Sequence, residues 1–127
     1  MARFLWICLG GALGTGARYA LEGWVARAAG PSFPWGTLAV NFLGSFLLGL
    51  IMQADLSTGA LPPTLRLALT TGVMGGFTTY STFNYETLRL FQSGAWELGA
   101  ANIAVTLTAC LAGGLAGMAI ARGLVGG

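Results

Sequence analysis

The 127 residues are 55% hydrophobic and only 8% charged, with no histidine. Soluble domains carry about a quarter charged residues, so this chain lacks the polar surface to stay dissolved. Its net charge of +2 is spread over six scattered arginines, which excludes a nucleic-acid surface and a basic lipid-headgroup cluster.

Length allows one domain over residues 1–127. A helix needs about 20 apolar residues to cross hydrocarbon. Span 1 is expected at roughly Phe4 to Val25, with its charge-free part ending at Arg18. Arg3 ahead of an apolar run superficially resembles a leader. Removal would leave an odd number of spans, so the segment reads as a retained first span that also targets the chain. Gly30-Pro31 and Pro34 mark a turn, and span 2 follows at roughly Trp35 to Met52. Asp55 to Pro63 reads as a loop. Span 3 is expected at about Thr64 to Phe91, and span 4 at roughly Leu98 to Ala121. The result is an all-α membrane protein with four transmembrane helices.

Four spans put both termini on one side, with Arg3, Arg66 and Arg122. Arg27 and Arg89 lie opposite, with Arg18 near them. The positive-inside rule needs an imbalance and finds little here. Dual topology, and with it an antiparallel two-fold homodimer, stays open. Gly10 and Gly14, and Gly113 and Gly117, stand at small-xxx-small spacing, which serves packing within one subunit or between two. Cys8 and Cys110 lie in apolar runs and read as buried free thiols.

Polar residues inside a span require a reason. Span 1 carries Gly10, Gly14, Arg18 and Glu22 on one face. Span 2 carries Thr37, Asn41, Ser45 and Gly49. Span 4 carries Asn102, Thr106, Cys110 and Gly114. Asn41 is the most informative, because a buried amide must find partners for two donors and an oxygen. Span 3 differs in kind. Its centre holds three glycines, then Thr78, Thr79, Tyr80, Ser81, Thr82, Phe83 and Asn84. Paired glycines weaken a helix by about 1 kcal/mol each, and Thr and Ser offer the backbone other partners. The helix is therefore expected to open near Gly75 to Thr78. Carbonyls freed at such a break suit Na⁺. The hydroxyls that follow suit an anion; the rings of Tyr80 and Phe83 either offer it their edges, where the aromatic quadrupole is positive, or serve lipid or core contact.

These stretches resemble the CrcB/Fluc family of fluoride channels. Gly75-Gly76-Phe77-Thr78-Thr79-Tyr80-Ser81-Thr82-Phe83 is close to the family's GG-x-TTFSTF. Gly36-Thr37-Leu38-Ala39-Val40-Asn41 matches GTL-x-VN, and Gly10-Gly11 through Gly14 to Arg18-Tyr19 matches the first-span pattern. The resemblance implies a dual-topology, antiparallel homodimer in the cell inner membrane that exports fluoride passively. Neutral HF entering from acid surroundings would ionise inside and leave as F⁻. It implies a structural, untransported Na⁺ on the carbonyls of Gly75 and Thr78. The fluoride pathway would comprise Asn41, the aromatics Tyr80 and Phe83, and the hydroxyls of Ser81 and Thr82. Arg18 and Glu86 would support it. Thr106 and Cys110 join the pathway on periodicity alone. Tyr80 departs from the family, which usually has Phe there.

A proton-coupled small multidrug exporter is the main alternative. It needs a titratable carboxylate deep in span 1, whose only acid, Glu22, lies near an end. A non-transporting membrane scaffold is a third reading. No nucleophile–base or metal-ligand set suggests an enzyme.

Overall fold

The computed structural model describes residues 1–126 and is all-helical over them. Helix α1 runs Ala2–Ala29 and ends at Gly30, whose φ of 88° suits glycine and whose N–H closes on the Ala26 carbonyl. Helix α2 runs Trp35–Thr58 and ends at Gly59 in the left-handed region. The sequence places its end near Met52, but the helix continues for more than a turn. Asp55 is the reason: it is helical and buried, and its carboxylate accepts the Leu61 N–H at 2.9 Å and pairs with Arg66. The expected loop thus starts at Gly59, folded back by a carboxylate inside the helix end.

The third span is composite. Helix α3, Pro63–Leu67, opens with proline at its first turn, where no donor is missed. A π-helical stretch, Ala68–Met74, follows, then the short α4, Gly75–Phe77. Thr78 and Thr79 are extended (φ/ψ −86°/157° and −148°/114°), and α5 resumes over Tyr80–Gln92. Helix α6, Trp96–Val125, completes the chain after a turn at Gly94.

The glycine pairs resolve as packing inside one chain. Gly10 and Gly14 of α1 lie against the carbonyls of Ala68 and Val73, where the π-helical stretch runs. Gly113 and Gly117 of α6 lie against Phe42 and the Phe46 carbonyl of α2. A β-carbon on Gly72 would sit 2.7 Å from the Ile7 carbonyl oxygen. Gly72→Leu is therefore expected to destabilise the protein by about 1–3 kcal/mol or to prevent folding, as overpacking does. Thermal unfolding in detergent measures it. Gly16→Ala is the control, because nothing lies within 4 Å of that site.

The protein is otherwise apolar on the outside. Among the described residues the buried hydrophobic ones are only Val40, Met74, Phe77, Phe83 and Ala121, while Leu13, Leu111 and Leu115 of α1 and α6 are about 70% exposed. Surfaces of this kind belong in hydrocarbon rather than water. Helices α2 and α6 are long and apolar enough to cross a membrane. The cysteines correct the expectation of buried thiols: Cys8 is exposed and Cys110 half-buried.

Candidate functional site

The opening in the third span falls at the far end of the expected Gly75 to Thr78 stretch, at Thr78 and Thr79. Gly75 and Gly76 are helical, and a β-carbon on Gly76 would meet the Gly11 carbonyl and Thr15. Gly76 thus serves close approach to α1, whereas a β-carbon on Gly75 would meet only the Thr70 carbonyl, at 3.9 Å. The chain opens at Thr78–Thr79, where side chains replace the backbone ladder.

A continuous helix would bond the Thr79 N–H to the Gly75 carbonyl. Here that N–H donates instead to Asn41 Oδ1 at 2.7 Å, and Asn41 Nδ2 donates to the Thr79 carbonyl at 2.9 Å. One amide thus clips both backbone groups of one residue. The Thr82 N–H, due at the Thr78 carbonyl, goes to Thr79 Oγ1 at 3.2 Å, which caps α5. Arg18 Nε donates to the Gly76 carbonyl at 3.1 Å. Asn41 and Thr79 therefore release the carbonyls of Gly75 and Thr78 from the helical ladder, and Arg18 occupies the Gly76 carbonyl between them.

Beside the break lies a groove of about 410 Å³. Asn41, Gly75, Thr78, Tyr80, Phe83, Thr106 and Cys110 all line it, so seven of the residues singled out from sequence come together. Thr70, Ser45 and Thr79 add hydroxyls, and none of its lining residues is charged. Tyr80 and Phe83 meet edge-on, with ring centroids 5.8 Å apart and planes at 61°. Phe83 is buried, whereas Tyr80 is 76% exposed. Asn41 uses its oxygen and one N–H on Thr79, which leaves its second N–H for the groove.

Four predicted residues lie elsewhere. Ser81 is exposed and Thr82 is tied to Thr79, and neither lines this groove. Arg18 acts behind the break on Gly76, with Glu22 at 3.9 Å. Glu86 lines a second groove with Glu22, Thr37 and Arg89, and both acids there enclose a carboxylate oxygen without a hydrogen-bond donor.

Two features escape the sequence-based site. Thr79 is the hinge of the break, signalled only by a Thr-x-x-Thr cap pattern. Asn102, legible in the sequence only as one member of a polar stripe, is 1% exposed and bonds Thr87 Oγ1 at 2.8 Å. A buried amide in an apolar helix was the available signal, as it was for Asn41.

Fold and groove together define a small helical membrane protein with an uncharged, donor-bearing cleft at a mid-span break. Residues 5–118 match the family model described as CrcB-like protein, Camphor Resistance (CrcB). The chain is 58% identical over 127 residues, all of both chains, to the "Fluoride-specific ion channel FluC" of Sorangium cellulosum. It is 56% identical over 126 residues to the protein of the same name from Anaeromyxobacter dehalogenans, covering 99% of this chain and 100% of that one. The corresponding protein of Geobacter sulfurreducens is 49% identical over 124 residues, 98% of this chain and 100% of its own. The chain belongs to the CrcB family.

Proposed function

We propose that this chain is a fluoride-selective channel, through which fluoride leaves the cell passively and cytoplasmic toxicity falls. The observation that carries the reading is the groove at the broken third span. It offers the second N–H of Asn41, the Ser45 hydroxyl, a thiol and two aromatic rings, and none of its lining residues is charged, while the hydroxyls of Thr70, Thr78, Thr79 and Thr106 donate to partners within the protein. An anion that sheds water needs donors to replace it, and a fixed cation would hold it too long to conduct. The full-length relatives named as fluoride-specific channels support the same ion. A small multidrug exporter would need a carboxylate midway along α1. Glu22 instead stands in the second groove, one turn from Arg18.

The finer assignments follow. The functional unit is an antiparallel, dual-topology homodimer in the cell inner membrane, embedded in lipid. The exposed face of Tyr80 and the open groove support a second copy as the missing wall. The near-even arginine count supports insertion in both orientations. The released carbonyls of Gly75 and Thr78 fit a structural Na⁺, since this hard cation takes oxygen ligands. Two copies meeting at the break would supply four such carbonyls. Asn41, Tyr80, Phe83, Thr106 and Cys110 form the fluoride route, and Ser81 and Thr82 extend it beyond the groove of the single chain.

Liposomes loaded with fluoride or with chloride test the function. With a potassium ionophore balancing charge, fluoride is expected to leave rapidly while chloride is retained. No fluoride efflux, or chloride leaving as fast, contradicts the reading.

A further inference from the structure

A buried line of hydrogen bonds runs from the groove into the contact between α5 and α6. Thr106 Oγ1 donates to Asn102 Oδ1 at 3.2 Å, Asn102 Nδ2 donates to Thr87 Oγ1 at 2.8 Å, and Thr87 Oγ1 donates to the Phe83 carbonyl at 2.7 Å. Asn102, Thr87 and Thr106 are each at most 5% exposed. The two ends, Thr106 and Phe83, line the groove, whereas Asn102 and Thr87 do not.

The direction of this line is fixed by its backbone end. A carbonyl can only accept. Thr87, having given its proton to the Phe83 carbonyl, offers Asn102 only lone pairs. Asn102 must therefore meet it with the amide N–H, and its oxygen must turn to Thr106. Thr106 in turn donates to that oxygen and has only lone pairs left for anything else that approaches. Its hydroxyl can grip an anion only by letting go of Asn102, across the longest of the three bonds.

We propose that Asn102 is a positioning residue for fluoride transport, which holds the Thr106 proton in reserve and, through Thr87, anchors Phe83. A conducting path needs sites an ion can leave as easily as enter. A donor already engaged elsewhere is such a site: it helps the passing ion and returns to Asn102 behind it. Asn102 touches no ion and acts only through its two neighbours.

The inference rests on the channel reading, and single-channel recording separates the two. Unitary fluoride current is the readout, because a folding defect lowers the number of channels but not the current through each. Asn102→Leu keeps side-chain bulk and removes both bonds. It is expected to lower unitary fluoride current about threefold or more, the scale of one neutral hydrogen bond. Thr87→Val, which frees the amide to turn, should lower it in the same direction. Thr87→Ser, which keeps the hydroxyl, should restore the wild-type value. Wild-type unitary current in Asn102→Leu overturns the inference, as does Thr87→Ser being as impaired as Thr87→Val. If Asn102→Leu does not fold, the Thr87 pair decides alone. A wild-type protein without fluoride current overturns the channel reading and this inference with it.

Discussion

Asn41→Ala is expected to abolish fluoride flux, lowering it by well over about tenfold, and to destabilise the protein. The substitution strands the N–H and the C=O of Thr79 together, because Asn41 is the partner of both. A buried backbone group left unpaired costs about 1–3 kcal/mol. The Thr79 N–H would then return to the Gly75 carbonyl, and the break would tend to close into continuous helix. Asn41→Asp separates architecture from transport. A carboxylate still accepts the Thr79 N–H, so the opening survives in part, but it adds a negative charge to an otherwise uncharged groove. Fluoride flux should then be lost while the protein remains folded. Efflux from liposomes, read beside thermal unfolding in detergent, measures both. Asn41→Asp flux close to wild type would remove Asn41 from the pathway.

The second large effect is expected at the aromatic pair. Phe83→Ile keeps an apolar side chain at a buried position but removes the aromatic ring that lines the groove beside Tyr80. Flux should fall about tenfold or more, a barrier increase of about 1.4 kcal/mol, while folded protein persists. Tyr80→Phe tests the opposite case. The ring edge remains and only the phenol oxygen goes, from a side chain that is mostly exposed. Flux should stay within about twofold of wild type, since the quadrupole is a property of the ring. Liposome efflux rates for the two variants in parallel decide it. Loss of flux in Tyr80→Phe would assign the phenol itself to the ion, and full flux in Phe83→Ile would remove the ring edge from the route.

The four spans were legible because long apolar runs separated by Gly and Pro leave few alternatives. Asn41 was legible because a lone amide in such a run needs a partner. The partner itself was not, since Thr79 lies 38 positions away and is met only after folding. The same distance explains why the break falls at the far end of the expected stretch. Local propensity puts the weakness over Gly75 to Thr78, but Gly76 packs tightly on α1 and the helix holds through Phe77. The helix opens instead where another segment supplies substitute hydrogen bonds. The extension of α2 past Met52 has a similar origin, because Asp55 reads locally as a loop acid and its partners Leu61 and Arg66 meet it only in the fold. The π-helical stretch at Ala68–Met74 left no local sequence signal; it coincides with the tight approach of Gly10 and Gly14.

The break in the third span, held open by Asn41, is expected to make a path that takes fluoride and refuses chloride. Its most direct test is the reversal potential of the purified protein in a planar bilayer, with fluoride on one side and chloride on the other. The expected result is a current carried by fluoride alone, reversing far from zero on the side set by the fluoride gradient. A reversal near zero, with chloride crossing as readily as fluoride, would contradict it.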